Sequence, residues 1–535
     1  DQAMRYGTDR GRFGEAKRAV EDKDIGPLVR TSMTRCIQCT RCVRFVNEVA
    51  GTGELGTTGR GNDMQVGTYV TRALESELSG NPHAFVARPW ELGSTESVDV
   101  HDALGSAIRV DARGAEVVRV VPRTNDDVNE EWLGDKARFA CDGLRRQRLT
   151  VPLVRVAGRL EPAPWADALQ LVAQRLRATP PDHVAAVAGA LADAEALVAL
   201  KDLLNAAGCE RLGVDTSAAT NGGGAAANNS GSAGARRLAQ DVRAAYTFGA
   251  TLAGVEDADA VLLVATNPRR EAAVLNARLR KPYLAGTAVF GVVGDAADLT
   301  FDYDHVGSSA AAIDDLAAGR HGFAQALRAA KRPLVVVGAA VAEQAGGAAV
   351  LAAIARLAAS LPALVTPAWN GLSTLQYAAG RTAALDIGYA ADSGDVSSAR
   401  FVYLLGADGP AAASLSPDAF VVYQGHHGDA GAHAADVVLP ATAYTEKAAT
   451  YVNTEGRVQR TRQAVAAPGA ARDDWKIIRA LSDAAGLPLA YDDVAALRAR
   501  MADVCPALVN PDALEPTSPE VALLGLARQR KCADP

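Results

Sequence analysis

Beyond Val151 the chain repeats one rhythm: a short apolar run, then a glycine or turn, then a long segment of helical character. The runs DAVLLVATNP (259–268), TAVFGVVGD (287–295), RPLVVVGAA (332–340), ARFVYLLGAD (399–408) and AFVVYQG (419–425) lack the polar alternation of a half-wet strand. Apolar runs of this kind fit parallel strands covered on both faces, with segments such as GGAAVLAAIARLAAS (346–360) as the covering helices. The expected architecture for 151–535 is therefore one or two doubly wound α/β lobes. Ahead of it, SAIRVDA (106–112) and AEVVRVVPR (115–123) alternate with period two and predict a small β unit within 93–150. Residues 1–92 are polar and rich in Arg and Gly, and SAATNGGGAAANNSGSAGA (217–235) carries no apolar period and is expected to be a mobile surface loop.

The length, 535 residues, exceeds one compact core and suits two to four domains. A hydrophobic share of 49% and a charged share of 22% are ordinary for a soluble globular chain. The net charge of −7 argues against a nucleic-acid-binding surface. No apolar run reaches membrane-span length, since Asp193 and Glu195 interrupt even VAAVAGALADAEALVAL (184–200), so membrane association is expected only through partners. The first residue is Asp1, and no signal or transit-type segment precedes it. The expectation is a chain that begins after processing or lacks upstream sequence.

The chemistry concentrates in TRCIQCTRCVRF (34–45), where Cys36, Cys39 and Cys42 recur every three residues. Thiolates at C-x2-C-x2-C spacing wrap one loop around an iron–sulfur cubane. A ferredoxin run would place a further Cys four residues on, but Val46 stands there. Structural zinc would want a second knuckle or His partners; the nearest His is His83, and no second C-x2-C exists. Arg35, Arg41 and Arg44 flank the triplet and would offset a thiolate-bound cluster. The plain alternative is three buried structural thiols. The remaining cysteines, Cys141, Cys209, Cys505 and Cys532, are isolated. An odd count of seven argues for a reducing compartment over a disulfide framework.

Other motifs are weaker. YQGHHGDAGAHAADVVLP (423–440) gathers His426, His427, Asp429, His433 and Asp436, which alone fit a metal or acid–base site, but a hydrogen-bonded structural loop is the better expectation. VVVGAAVAEQAGG (335–347) lacks the spaced glycines of a dinucleotide fold, and TTGRGNDMQVG (57–67) lacks the Lys and Ser/Thr of a phosphate loop.

Six segments carry a family resemblance: DQAMRYGTDRGRF (1–13), the run from Arg35 to Tyr69, ARPWELGSTESVDVHDALGS (87–106), EEWLGDKARFACDGLRRQRLT (130–150), the run from Val421 to Gln459, and DDWKIIRALSDAAG (473–486). They resemble the large iron–sulfur subunit of respiratory complex I, the 75-kDa subunit of mitochondrial NADH:ubiquinone oxidoreductase. The likeness covers nearly the whole chain and is weakest across 175–250. It implies a ferredoxin-like iron–sulfur region at 1–92 (incomplete at its N-terminus) and, at 93–150, a small β domain like the 4Fe–4S Mo/W type without ligands. It also implies, at 151–535, a molybdopterin-oxidoreductase-like α/β domain without molybdenum. The absence of any Cys between 210 and 504 agrees with that last point.

In such subunits Cys36, Cys39 and Cys42 would match three ligands of a [4Fe–4S] cluster. The fourth would lie in a CPVGALT-type segment that this sequence omits, running ELSGNPHAFVARPWE straight from Asn81 into Pro82. A further [4Fe–4S] and a [2Fe–2S] cluster would be ligated upstream of residue 1. Either the sequence joins stretches that the natural protein separates, or the upstream half is another chain, or ligands have been lost; the first is expected. Cys141 is a conceivable but remote substitute for the fourth ligand. The implied function is electron relay from a flavin-bearing, NADH-binding subunit toward quinone-side iron–sulfur subunits and ubiquinone, coupled in the complex to proton translocation. The implied place is the matrix side of the mitochondrial inner membrane, or the cytoplasmic face of a bacterial plasma membrane. The rival readings are a complex I scaffold without its cluster and a molybdopterin enzyme such as a formate dehydrogenase.

Overall fold

A computed structural model describes residues 2–8, 10–14, 19–69, 72–80, 86–215, 242–343, 346–391 and 396–514. The loop expectation at 217–235, the Asn81–Pro82 junction, His83 and Cys532 lie outside the described residues.

Two separate sheets form the larger part of the chain, each built on parallel strands. In the first, seven strands run in the order Arg159–Pro162, Leu153–Val156, Val437–Pro440, Phe420–Gly425, Phe401–Leu405, Val184–Ala188, Leu212–Val214. The last five are mutually parallel, and the first two form an antiparallel hairpin on the Val437–Pro440 edge. The second sheet has five parallel strands in the order Asp304–Gly307, Val289–Val293, Ala260–Val264, Pro333–Gly338, Leu372–Leu375. In chain order the whole second sheet is inserted between Leu212–Val214 and Phe401–Leu405 of the first. Val184–Ala188, Ala260–Val264 and Phe401–Leu405 are buried at every position, because helices cover both faces.

The helices Trp165–Ala178, Ala194–Ala206, Asp474–Ala484 and Val494–Val504 share the core of the seven-stranded sheet with Leu197, Leu200, Trp475, Ile478 and Met501. A three-stranded antiparallel sheet, Gly93–Val98, Ala107–Arg113 and Glu116–Pro122, packs Ile108, Val110 and Val120 with Tyr444 and Tyr451 of the α/β part. The N-terminal region has a smaller core, Ile25, Met33, Val46, Leu55, Val66 and Leu74, beside a hairpin of Leu55–Thr58 with Gln65–Thr68.

Candidate functional site

The cysteine triplet straddles the end of a loop and the start of a helix. After a tight turn at Met33–Arg35, Gln38 and Thr40 adopt left-handed backbone (φ 49° and 59°), reversing the chain between successive cysteines. Arg41–Arg44 makes one helical turn and passes into a π-helical turn at Phe45–Ala50. Cys36 is half-buried against the N-terminal core, while Cys39 and Cys42 are exposed. The Gln38 N–H donates to the Cys36 sulfur at 3.4 Å. The Cys42 thiol is raised, first because its sulfur is partly shielded from water and further by negative charge on Cys36 and Cys39. The three sulfurs thus feel one another, and a cationic iron centre would reverse that repulsion. Arg44 is matched by Glu48 one turn on at 3.1 Å.

The loop carries three thiols, one short of the four that a [4Fe–4S] cluster takes. Among the described residues no three His, Cys, Asp or Glu side chains are gathered closely enough to hold a metal ion. Cys141 does not supply the fourth corner. It is buried in the core of the three-stranded sheet, donates to the Arg138 carbonyl, and has its thiol pushed up to about 11 by burial. Cys209 is buried and donates to the Val184 carbonyl at 3.1 Å, and Cys505 is half-buried.

The loop is anchored to the five-stranded lobe. Arg280, on the helix Ala273–Leu284, donates to the carbonyls of Asn47 (3.1 Å), Glu48 (3.3 Å) and Thr300. Phe45 packs on Trp132 with ring centroids 5.2 Å apart. Gly51 ends the π-turn at φ 80°, its N–H reaching the Val46 carbonyl five residues back at 2.8 Å. A Cβ on Gly51 would lie 2.6 Å from the Arg280 guanidinium carbon. Gly51→Ala should therefore destabilise the protein by about 1–3 kcal/mol. It should also speed hydrogen exchange across 45–51 relative to the sheets, as amide exchange would read out.

The stretch ahead of the Asn81–Pro82 junction is held as firmly. Arg269 pairs with Glu77 (2.8 Å) and donates to the Glu75 carbonyl, while Asp135 accepts the Gly80 N–H at 2.6 Å. Burial pushes the Asp135 carboxyl up to about 6 from an ordinary 3.8. The folded chain thus binds the proton more tightly than the unfolded one, and this group's stability contribution falls as pH rises from about 4 to about 6. Asp135→Asn keeps the acceptor and removes the charge. It should stabilise by about 1–3 kcal/mol at pH 7, with the gain vanishing near pH 4 in denaturant titrations.

A second polar concentration lies at the carboxyl ends of the seven-stranded sheet, where the structure places the His426–Asp436 segment. His426 and His427 bond through their Nδ1 atoms at 2.5 Å, the His427 Nε2 donates to the Gly143 carbonyl at 2.8 Å, and Asp436 accepts the Val421 N–H. His426, His427 and Asp429 line a cavity of about 340 Å³; His433 and Asp436 do not. Beneath it is a buried ion cluster that motif reading does not reveal. Lys447 donates to Asp193 at 2.5 Å and to Asp474 at 2.6 Å, and Gln424 donates to Asp474 at 2.8 Å. Nearby, Glu195 takes Arg498 and both donors of Thr450. The one sequence signal was Asp193 and Glu195 breaking an apolar run; their partners lie more than 250 residues away. A molybdenum cofactor does not fit this cavity: its lining holds no thiol, and its single ammonium, Lys447, is already engaged by two carboxylates.

Three family models match the chain in succession: the ferredoxin-like domain of NADH-quinone oxidoreductase subunit 3 over 26–83, the NADH-ubiquinone oxidoreductase NDSU1/NuoG-like 4Fe-4S domain over 92–142, and molybdopterin oxidoreductase over 148–484. The NADH-ubiquinone oxidoreductase 78 kDa subunit of Neurospora crassa mitochondria is 51% identical over 540 residues, 97% of this chain and 70% of that one. The mitochondrial NADH dehydrogenase [ubiquinone] iron-sulfur protein 1 of Solanum tuberosum is 48% identical over 100% of this chain and 72% of its own length. The 75 kDa subunit of Reclinomonas americana is 43% identical over 96% of this chain and 77% of its own. With such identity along almost all of its length, the chain belongs to the family of the 75/78 kDa iron–sulfur subunits of mitochondrial NADH–ubiquinone oxidoreductase, respiratory complex I.

Proposed function

We propose that this chain is an electron-relay subunit of complex I in the mitochondrion, and that Cys36, Cys39 and Cys42 hold a [4Fe–4S] cluster through their thiolates. When bound, such a cluster accepts and passes single electrons. The observation that carries the reading is the loop itself: three thiols on two left-handed reversals, pinned by Arg280 and by Phe45 on Trp132 to the five-stranded lobe. Rigid mounting keeps a relay centre at fixed distance from its neighbours, and the flanking arginines tune it by charge. The chain is proposed to divide at 1–92, 93–150 and 151–535, the first part carrying the cluster and the last bracing it. By the same reading, a second [4Fe–4S] and a [2Fe–2S] centre would be held by residues outside this sequence. The neighbours would be the flavin-bearing NADH-binding subunit on one side and quinone-side iron–sulfur subunits on the other, all on the matrix side of the inner membrane. Among the described residues no helix is long and apolar enough to cross a membrane.

The scaffold reading has one observation in its favour: no fourth thiol stands with the triplet among the described residues. Iron and sulfide quantitation with low-temperature EPR on the assembled complex separates the two. A [4Fe–4S] signal assignable to this loop supports the relay; its absence in otherwise intact complex leaves a scaffold.

A further inference from the structure

Two arginines close to the cysteine loop differ in how their charge is met. Arg44 is exposed, and Glu48 matches it at 3.1 Å. Arg280, on the helix Ala273–Leu284 of the five-stranded lobe, is half-buried, and its guanidinium donates to carbonyls alone: Asn47 at 3.1 Å, Glu48 at 3.3 Å, and Thr300. The carboxylates on either side of Thr300 are used elsewhere. Asp298 pairs with Arg269 at 2.7 Å, and Asp302 accepts the Tyr283 hydroxyl at 2.9 Å. Burial lowers the Arg280 pKa and no carboxylate raises it, yet a guanidinium keeps its proton in any protein environment. Its bonds to backbone oxygens leave a full positive charge at this point.

That charge stands behind the thiols. Asn47 follows Cys42 by five residues of continuous helical backbone, which puts the guanidinium roughly 10 Å from the triplet. Val46, in the same turn, is buried in the N-terminal core, and Phe45 packs on Trp132, so little water screens the charge.

We infer that Arg280 holds up the reduction potential of the centre proposed at Cys36, Cys39 and Cys42, an inference that rests on the electron-relay reading. Reduction brings one electron and no proton to the triplet, hence one more negative charge, which a nearby cation favours. A unit charge roughly 10 Å away, at an effective dielectric constant of about 20, biases a one-electron step by roughly tenfold. The five-stranded lobe thereby acts on electron transfer as well as bracing the loop.

The test uses the assembled complex with the full-length subunit. The EPR signal of this centre is followed through a redox titration with dithionite and mediators, and iron is counted in each variant. Arg280→Gln removes the charge. Thr300→Asp adds a carboxylate beside Arg280 and leaves its bonds to Asn47 and Glu48 in place. Asn276, one turn before Arg280 on the same helix, donates to the Thr300 hydroxyl at 3.3 Å, and Thr300 has φ 68°, a backbone region that Asp tolerates. Arg280→Lys keeps the charge without the planar fork. The midpoint should fall by about 59 mV, a tenfold change in the reduced-to-oxidised ratio, in both Arg280→Gln and Thr300→Asp. In Arg280→Lys that ratio should change less than about threefold. Should Arg280→Gln lose its iron, Thr300→Asp decides. An unchanged midpoint in Thr300→Asp, or a fall in Arg280→Lys as large as in Arg280→Gln, overturns the inference and leaves Arg280 an anchor only. Loss of iron from all three variants does the same. A parent complex without a signal from this centre overturns the relay reading and this inference with it, so the parent tells the two failures apart.

Discussion

Cys39→Ser should strip the centre from the triplet loop. Iron should fall by about four atoms per chain, the EPR signal of this cluster should vanish, and NADH-driven quinone reduction by the assembled complex should drop roughly tenfold or more. A serine hydroxyl is a hard donor that keeps its proton at neutral pH, so it cannot replace a thiolate on iron. Because Cys39 is exposed and packs into no core, the subunit should still fold and assemble. Cys141→Ser is the control, as Cys141 lies in the core of the three-stranded sheet and should cost stability without touching the iron count. Equal iron in the Cys39→Ser variant and the parent would remove the triplet from the relay.

Lys447→Met should be the most damaging single change to stability, at about 3–5 kcal/mol, because it leaves Asp193 and Asp474 buried without their cation. Burial alone would depress the Lys447 ammonium, but the two carboxylates outweigh it and hold its pKa well above the usual value. Asp474 is nonetheless raised, since burial costs it more than a lysine shared with Asp193 returns. The pH dependence follows from these directions. The lysine's own contribution is complete below about pH 10 and is lost only above it. In the variant the orphaned carboxylates take up protons more readily folded than unfolded. The gap between parent and variant should therefore be widest near pH 8 and shrink progressively toward pH 5. Denaturant unfolding across that range reads it directly, and a further Asp193→Asn change should recover part of the loss. A gap that does not vary with pH would mean that Met fails by packing rather than by charge.

Much of the architecture was legible because buried parallel strands announce themselves. DAVLLVATNP, RPLVVVGAA and ARFVYLLGAD contain strands at Ala260–Val264, Pro333–Gly338 and Phe401–Leu405, where helices on both faces leave no polar alternation. The two lobes were harder to separate. Nothing local in ARFVYLLGAD says that it returns to the sheet begun at Val184, across an inserted five-stranded sheet, since strand partnership is a long-range choice. The hairpin Leu153–Val156/Arg159–Pro162 that extends the sheet was too short to stand out.

Among the candidate sites, the cysteine spacing alone put three thiols on one loop, because Cys36, Cys39 and Cys42 are close neighbours along the chain. It gave no sign of what mounts that loop: Arg280 and Trp132 come from segments far along the chain. The histidine-rich run showed polar residues but not their use. Asp193 lies more than 250 residues from Lys447, and only folding brings it together with Lys447 and Asp474 beneath His426. By itself the sequence determined what repeats over a few residues, namely strand and helix character and the thiol triplet. The tertiary structure decided which distant charges are matched and which polar groups are left open, because both depend on burial, and burial is settled by how the elements pack.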